Sequence, residues 1–279
     1  MASMFSIPFL ISIACTQQES SSEKIPFSFV SLHPAVTETL FALKAEKALK
    51  GRSDYCSVPN AYEHLPTLGT AITPNIERIA QLQISTIFGD ASLAQHEDSL
   101  SKIATVEALP WLSIDDMKTS VQRLGEITDT SDQATIIIDS ISAAFDTNEA
   151  PHPDPVLLLL GGSEIQKGQL WYIKPESIHG SMLEASGFSN AVPLGSNIPQ
   201  MSIEHLLEID PPIIALFGDT KDNLVDLQNK KTQLMQFTAL KAVTDEHVCI
   251  LQVSNAFGTG PGILNTTSQI QTQMTECLR

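Results

Sequence analysis

The sequence predicts an α/β protein of two lobes separated by a helical segment, and three observations carry that prediction. Short apolar runs alternate with stretches of helical periodicity from Pro26 to about Leu112. Residues 114–146 then keep apolar positions at helical spacing without any clear strand. A Pro-rich break, Ala150-Pro-His-Pro-Asp-Pro155, precedes a second alternating series that opens on Val156-Leu-Leu-Leu-Leu-Gly161.

Element by element, Phe27-Ser-Phe-Val-Ser-Leu32 reads as a strand. Pro34 starts a helix with an apolar face on Val36, Leu40, Phe41 and Leu43. Thr73-Pro74-Asn75 reads as a second helix entry, with Thr73 as cap and Pro74 at the first helical position. A strand over Ser85–Gly89, a helix near 92–103 and a strand near 105–109 complete the first series. Val121, Leu124 and Ile127 share one helical face, and after a polar break at 128–132 an apolar helix runs from Ala134 to Phe145. Strands near 213–217 and 248–253 and a last helix over 262–277 fill the second series, with no internal repeat evident.

Composition narrows the functional classes. The chain has 279 residues, 42% of them hydrophobic, enough for substantial cores. Its formal net charge of −16 and only 16 basic residues argue against nucleic acid as a partner, because phosphate binding needs clustered Lys and Arg. The start, Met1 to Ala14, is a short apolar run ending in small residues before Cys15, the layout of a secretory signal. Ser12-Ile13-Ala14-Cys15 resembles a lipobox, in which the cysteine is lipid-modified, and the hydrophilic run after it suits a tether. Of the four cysteines, Cys15, Cys56, Cys249 and Cys277, none has CxxC spacing. Cys249 and Cys277 can pair in an oxidising compartment, which spacing alone does not establish, and Cys56 is expected as a buried free thiol.

Signals for catalysis are sparse. There is no GxSxG elbow, Walker A lysine or HExxH, and no two histidines stand three or four residues apart. Gly258-Thr-Gly260-Pro-Gly262 precedes a helix, so it reads either as a simple turn or as an anion site at the helix N-terminus. Asp219 and Asp222 read as a solvated face. His33 stands out because it follows the first strand, at the sheet edge where ligands of open α/β sheets bind; a structural role competes with that reading.

Phe29-Val-Ser-Leu-His-Pro-Ala-Val-Thr-Glu38-Thr-Leu-Phe-Ala-Leu43 resembles the opening of the helical-backbone (class III) periplasmic substrate-binding proteins of cobalamin and iron-siderophore ABC transporters. Gly51-Arg-Ser-Asp-Tyr55-Cys56-Ser-Val-Pro59, which is nearest the vitamin B12-binding branch, then Pro74-Asn75-Ile-Glu77-Arg78-Ile79, Gln122–Thr128 and Pro199-Gln-Met-Ser202-Ile-Glu204-His-Leu-Leu207 continue the likeness in order. The resemblance implies two Rossmann-like α/β lobes bridged by a single long α-helix, with the ligand cleft between the lobes. On this sequence the divisions are 1–24 for signal and tether, 25–128 for the first lobe, 129–148 for the bridging helix and 149–279 for the second lobe.

The same resemblance implies a binding component, not an enzyme, that captures a corrinoid such as cobalamin and hands it to a membrane permease and its ATPase. The protein is expected to be an extracytoplasmic monomer, lipid-anchored through Cys15. Haem or a ferric siderophore is the alternative ligand, and a metal-ion receptor or a non-transport interaction module is the rival class. No resident cofactor or metal is expected. Glu77 and Glu204 match the family's permease-docking glutamates. Tyr55 matches an aromatic that packs on the ligand ring, while Ala71 and Ile198 stand where relatives place tryptophans. His33, Trp171 and Tyr172 complete the expected ligand contacts.

Overall fold

A strand buried on both faces is apolar along most of its length, and Val156–Leu160 and residues 213–217 meet that condition, whereas the edge strand Thr105–Ala108 is partly exposed. The structure, a computed structural model, describes residues 27–146, 151–195 and 198–279. The expected lipidation at Cys15, the expected signal and tether over 1–24, and residues 147–148 of the expected bridge therefore lie outside the described residues.

In the first lobe β1 (Phe29–Ser31) leads to α1 (Pro34–Ala42), β2 (Leu49–Arg52), α2 (Ile76–Gln81), β3 (Thr86–Gly89), α3 (Glu97–Leu100) and β4 (Thr105–Ala108). All pairings are parallel, in the order β2-β1-β3-β4. Two helices follow. The first, α4 (Ile114–Ile127), begins in a reciprocal cap: Ser113 Oγ accepts from Asp116 N at 3.1 Å, and Asp116 Oδ2 accepts from Leu112 N at 3.1 Å. The second, α5 (Ser131–Phe145), buries Ala134, Ile137 and Ile141 along one stripe. Gly125 lets these helices cross closely, since a Cβ there would stand 2.5 Å from Ala134 Cβ.

The second lobe comprises β5 (Val156–Leu160), β6 (Leu170–Trp171), α6 (Ile178–Ala185), β7 (Gln200–Met201), α7 (Ile203–Ile209), β8 (Ile213–Asp219), α8 (Leu224–Leu234), α9 (Lys241–Thr244), β9 (Val248–Val253) and α10 (Ile263–Cys277). Here β5, β8 and β9 form a parallel sheet, and β6 and β7 an antiparallel ribbon beside it.

Three apolar clusters hold this arrangement. One covers the outer face of the first sheet through Val30, Ile79, Ile87 and Leu93, and another the outer face of the second through Leu157, Leu206, Leu216 and Leu234. The third is continuous across both lobes, running from Phe29, Leu40 and Phe88 through Val121, Leu124, Ile137 and Ile141 to Leu158, Met182, Phe217 and Ile270. The bridge is thus part of a shared core.

Three local expectations change. The cap of α2 is Asn75, whose side chain accepts from Arg78 N, and Pro74 lies before the cap paired with Gly69, so Thr73 and Pro74 are not the helix start. The stretch near 92–103 is a 3-10 turn, Ala91–His96, followed by the single turn of α3, because Asp90 turns its side chain onto Ser92 N and starts the tighter coil. The bridging helix is α5, shorter than 129–148 and about 22 Å long at 1.5 Å per residue.

Cys249 on β9 and Cys277 at the end of α10 form a disulfide, while Cys56 is free and buried. The bond closes a 28-residue separation, so replacing both partners by Ala is expected to lower the unfolding free energy by about 2–4 kcal/mol, measured by urea titration.

Candidate ligand cleft

The strand order fixes where a site can form. In the first sheet the chain leaves β1 for β2 on one side and later fills β3 on the other, so the order reverses between β1 and β3. Ligands of open α/β sheets gather at the carboxyl edge of such a reversal. His33 follows β1 and Asp90 follows β3, and His33 Nε2 stands 3.9 Å from Asp90 Oδ2. The His33 ring also stacks on Trp111, which follows β4, at 6.0 Å and 13°. Burial pushes the His33 pKa down and the Asp90 carboxylate opposes that. His33 Nδ1 and Trp111 Nε1 are buried without a hydrogen-bond partner among the described residues.

Half of the large apolar side chains that stand exposed among the described residues lie in the connections that follow the strands. In the first lobe they are Tyr55, 76% exposed, Ile72 and Leu112, 82% exposed. In the second they are Trp171, Ile198 and Phe257, the last 52% exposed and following β9. Isolated exposed apolar residues need no explanation, but three beyond the strands of each lobe, on loops and on the β6 ribbon, are candidates for a surface that meets a partner.

The loops are held by polar contacts beneath them. Cys56 Sγ lies 2.9 Å from Thr37 Oγ1 and 3.2 Å from Ser53 Oγ, Thr37 Oγ1 lies 2.8 Å from Ser31 Oγ, and Arg52 Nη1 donates to Cys56 O at 2.8 Å. Tyr55 N donates to Ser53 Oγ at 3.3 Å, so the ring projects from a fixed turn. Buried Ser163 accepts from Trp171 N and donates to Trp171 O, clasping the neighbouring backbone. Asp219 Oδ2 accepts from Ala256 N at 3.0 Å, and Phe257 rests on Phe217 and His179. Burial lowers the His179 pKa, partly offset by the Ala256 backbone.

Several expected site residues fall elsewhere. Tyr172 is only 3% exposed, and its hydroxyl donates to Ile198 O at 2.9 Å, so it supports the loop and offers no open ring. Ala71 is buried in the outer core of the first lobe, and its neighbour Ile72 takes the exposed position. Asp222 is exposed and Asp219 half-buried, and besides facing solvent they accept from Ala256, Lys221 and Asp219 backbone N–H groups and organise the turn after β8. Trp171 and Ile198 do stand exposed. Sequence reasoning missed Leu112 and Phe257, although each is an apolar residue stranded in a turn context, Pro110-Trp-Leu-Ser113 and Asn255-Ala-Phe-Gly258.

The glycine-rich segment has an anion at its helix start, and the anion is the chain's own Glu38. Its carboxylate accepts from Gly262 N and from Asn255 Nδ2, the latter at 3.3 Å. Burial raises the Glu38 pKa, and those two donors pull it back.

Glu77 and Glu204 occupy equivalent places, one per lobe. Each is the second residue of a helix whose cap, Asn75 or Ser202, accepts from the third backbone N–H, and each precedes a buried apolar anchor by two residues, Ile79 or Leu206. Both are exposed. The Ser202 hydroxyl and the backbone N–H of Glu204 hold its carboxyl below the usual range. Among the described residues no cluster of three His, Cys, Asp or Glu side chains is arranged for a metal ion, and no helix is long and apolar enough to cross a membrane.

Two parallel α/β lobes on a helical bridge, with exposed apolar loops at their carboxyl edges, define a two-lobed binding protein of the helical-backbone class. The family profile described as periplasmic binding protein matches residues 29–252, and the chain belongs to that family. It is 23% identical over 260 residues to the high-affinity heme uptake system protein IsdE of Staphylococcus aureus, covering 89% of this chain and 87% of that one. The fold is similar to that of the periplasmic heme-binding protein HutB of Vibrio cholerae, with a TM-score of 0.72 and 20% identity over 88% of this chain and 98% of that one. It is also similar to the siderophore-binding protein FhuD of Vibrio cholerae, solved with Fe3+-Desferal, at a TM-score of 0.67 and 18% identity over 90% and 98%.

A raised carboxyl pKa has a definite consequence for stability. Stability from Glu38 is fully present below the ordinary glutamate range and is lost as pH rises through its raised folded value. Urea unfolding of Glu38→Gln against the parent is therefore expected to show the variant gaining relative stability as pH rises across that window, with no gain at lower pH.

Proposed function

We propose that this protein is the extracytoplasmic substrate-binding component of an ABC importer that takes up iron as a flat, largely apolar chelate of the haem type. The observation that carries the reading is the set of exposed apolar and aromatic side chains, led by Tyr55, Leu112, Trp171 and Phe257, at the carboxyl edges of both sheets. A planar macrocycle presents two apolar faces, and two lobes each offering apolar loops suit it. Arg52 and Lys230 are turned onto the carbonyls of Cys56 and Gly161, which leaves them poorly placed to meet an anionic catecholate chelate. The heme-binding relatives support the same choice. The disulfide accords with an oxidising compartment.

Tyr55 is the proposed principal contact: its ring is exposed and its hydroxyl has no hydrogen bond among the described residues. His33 sits deeper, stacked on Trp111, and serves the cleft floor. A corrinoid is the second reading, favoured by the Gly51–Pro59 segment that carries Tyr55. Glu77 and Glu204 are the proposed docking points for the permease. Two carboxylates on separate, rigidly capped helices would fix orientation as well as speed encounter.

Half-exposed Trp171 is a native fluorescent reporter, while Trp111 is buried. Haemin is expected to give a Soret band and saturable quenching, and Tyr55→Phe to weaken binding about tenfold, or ~1.4 kcal/mol. Quenching by cyanocobalamin without any response to haemin would replace haem with the corrinoid. Glu77→Lys combined with Glu204→Lys is expected to reduce cellular uptake to background while the dissociation constant of the purified protein stays unchanged. A parallel loss of affinity would move both residues out of the docking face.

A further inference from the structure

Glu38 sits on α1, in the first lobe, yet both of its hydrogen-bond donors belong to the second: Gly262 at the start of α10, and Asn255 after β9. Among the described residues, no other hydrogen bond or ion pair joins residues 27–128 to residues 151–279. The shared core also spans the lobes, but apolar contact is non-directional and tolerates sliding, whereas a hydrogen bond to a carboxylate fixes direction.

The glycines opposite Glu38 give an independent line of argument. None of Gly258, Gly260 and Gly262 has a positive φ, so backbone freedom does not explain them. Space does. A Cβ on Gly260 would stand 2.8 Å from Glu38 Cδ and from its Oε2, and one on Gly262 would collide with Oε1. A Cβ on Gly258 would overlap the side chain of Asn255, the second donor. All three glycines clear room for one carboxylate and its partner. The site keeps this carboxylate in place although burial opposes its ionisation, and the start of a 15-residue helix favours a negative charge.

We infer that Glu38 is the positioning residue that holds the two lobes in register and, through the Asn255–Gly262 loop, sets the place of Phe257 in the cleft wall. Glu38 does not itself touch the ligand in this reading. It acts through a loop whose other end is fixed by Asp219 on Ala256 N, so Phe257 projects from a segment pinned on both sides.

The test uses the ligand-free protein and needs no ligand identity. Nitroxide labels on Lys102→Cys and Gln228→Cys, both exposed and on different lobes, report the inter-lobe distance distribution by electron–electron double resonance. Hydrogen exchange of residues 254–264 reports the loop. Glu38→Ala and Gly260→Ala are each expected to broaden the distribution and to speed exchange in that segment by about tenfold, the loss of the hydrogen bonds from Gly262 and Asn255. Glu38→Gln, which keeps an acceptor for Gly262 N–H, is expected to stay close to the parent. Adding Gly260→Ala to Glu38→Ala should change much less than it does alone, because of the three close atoms only the Cβ of residue 38, at 3.2 Å, remains.

Parental distance distributions and exchange in both single variants, with circular dichroism intact, would overturn the inference. So would a Gly260→Ala effect that persists in full on the Glu38→Ala background. Should Glu38→Ala fail to fold, the contrast between Gly260→Ala and Glu38→Gln decides the matter in the same way.

Discussion

Parallel sheets are covered on both faces, with only an edge strand such as β4 left partly open to water, and that constraint shapes this protein. Each sheet needs helices on two sides, and the chain meets the need economically by giving both sheets one common inner layer. Helices α1, α4, α5, α6 and α10 supply the buried side chains of that layer, from Leu40 to Ile270. The helical bridge is consequently a packed wall. Large relative rotation of the lobes would have to expose Ile137, Ile141 and their neighbours, at a cost of roughly 1.5–3 kcal/mol for each side chain fully exposed. A cleft built on such a base is largely pre-formed, and its specificity must come from the loops at its rim.

How much of this was legible in the chain depended on the kind of signal. Strands buried on both faces announce themselves as unbroken apolar runs, and β5 and β8 were readable for that reason. The α4–α5 pair was readable from helical spacing broken by polar residues at 128–132. Helix starts were less so. Thr73-Pro74 carries the statistical marks of an entry, but the bridge between Gly69 and Pro74 holds that dipeptide extended and passes the cap to Asn75. Tertiary pairing overrode local preference there.

The site was harder to read than the fold, and the physical reason is burial. Trp171 and Tyr172 are adjacent and alike in sequence, yet alternation along the strand sends one outward and the other into the core. Nothing in the residue types says which. Ala71 and Ile72 divide in the same way. Contacts between positions more than two hundred residues apart, such as Glu38 with Gly262, are invisible to any local pattern, so the glycine-rich segment read first as a simple turn, with an anion site as the lesser alternative. It is a turn whose anion comes from the chain itself.

Cys56 has a consequence for biogenesis. The described residues hold three cysteines, one pair and one odd thiol, in a protein that also carries a disulfide. An odd thiol in an oxidising compartment is a standing hazard, since its thiolate can attack the Cys249–Cys277 bond and scramble it. In the folded state Thr37, Ser31 and Ser53 surround the sulfur and close off its line of attack. That shelter exists only once β1, α1 and the turn after β2 have come together. Burial of Cys56 in the first lobe thus keeps the free thiol apart from the disulfide of the second.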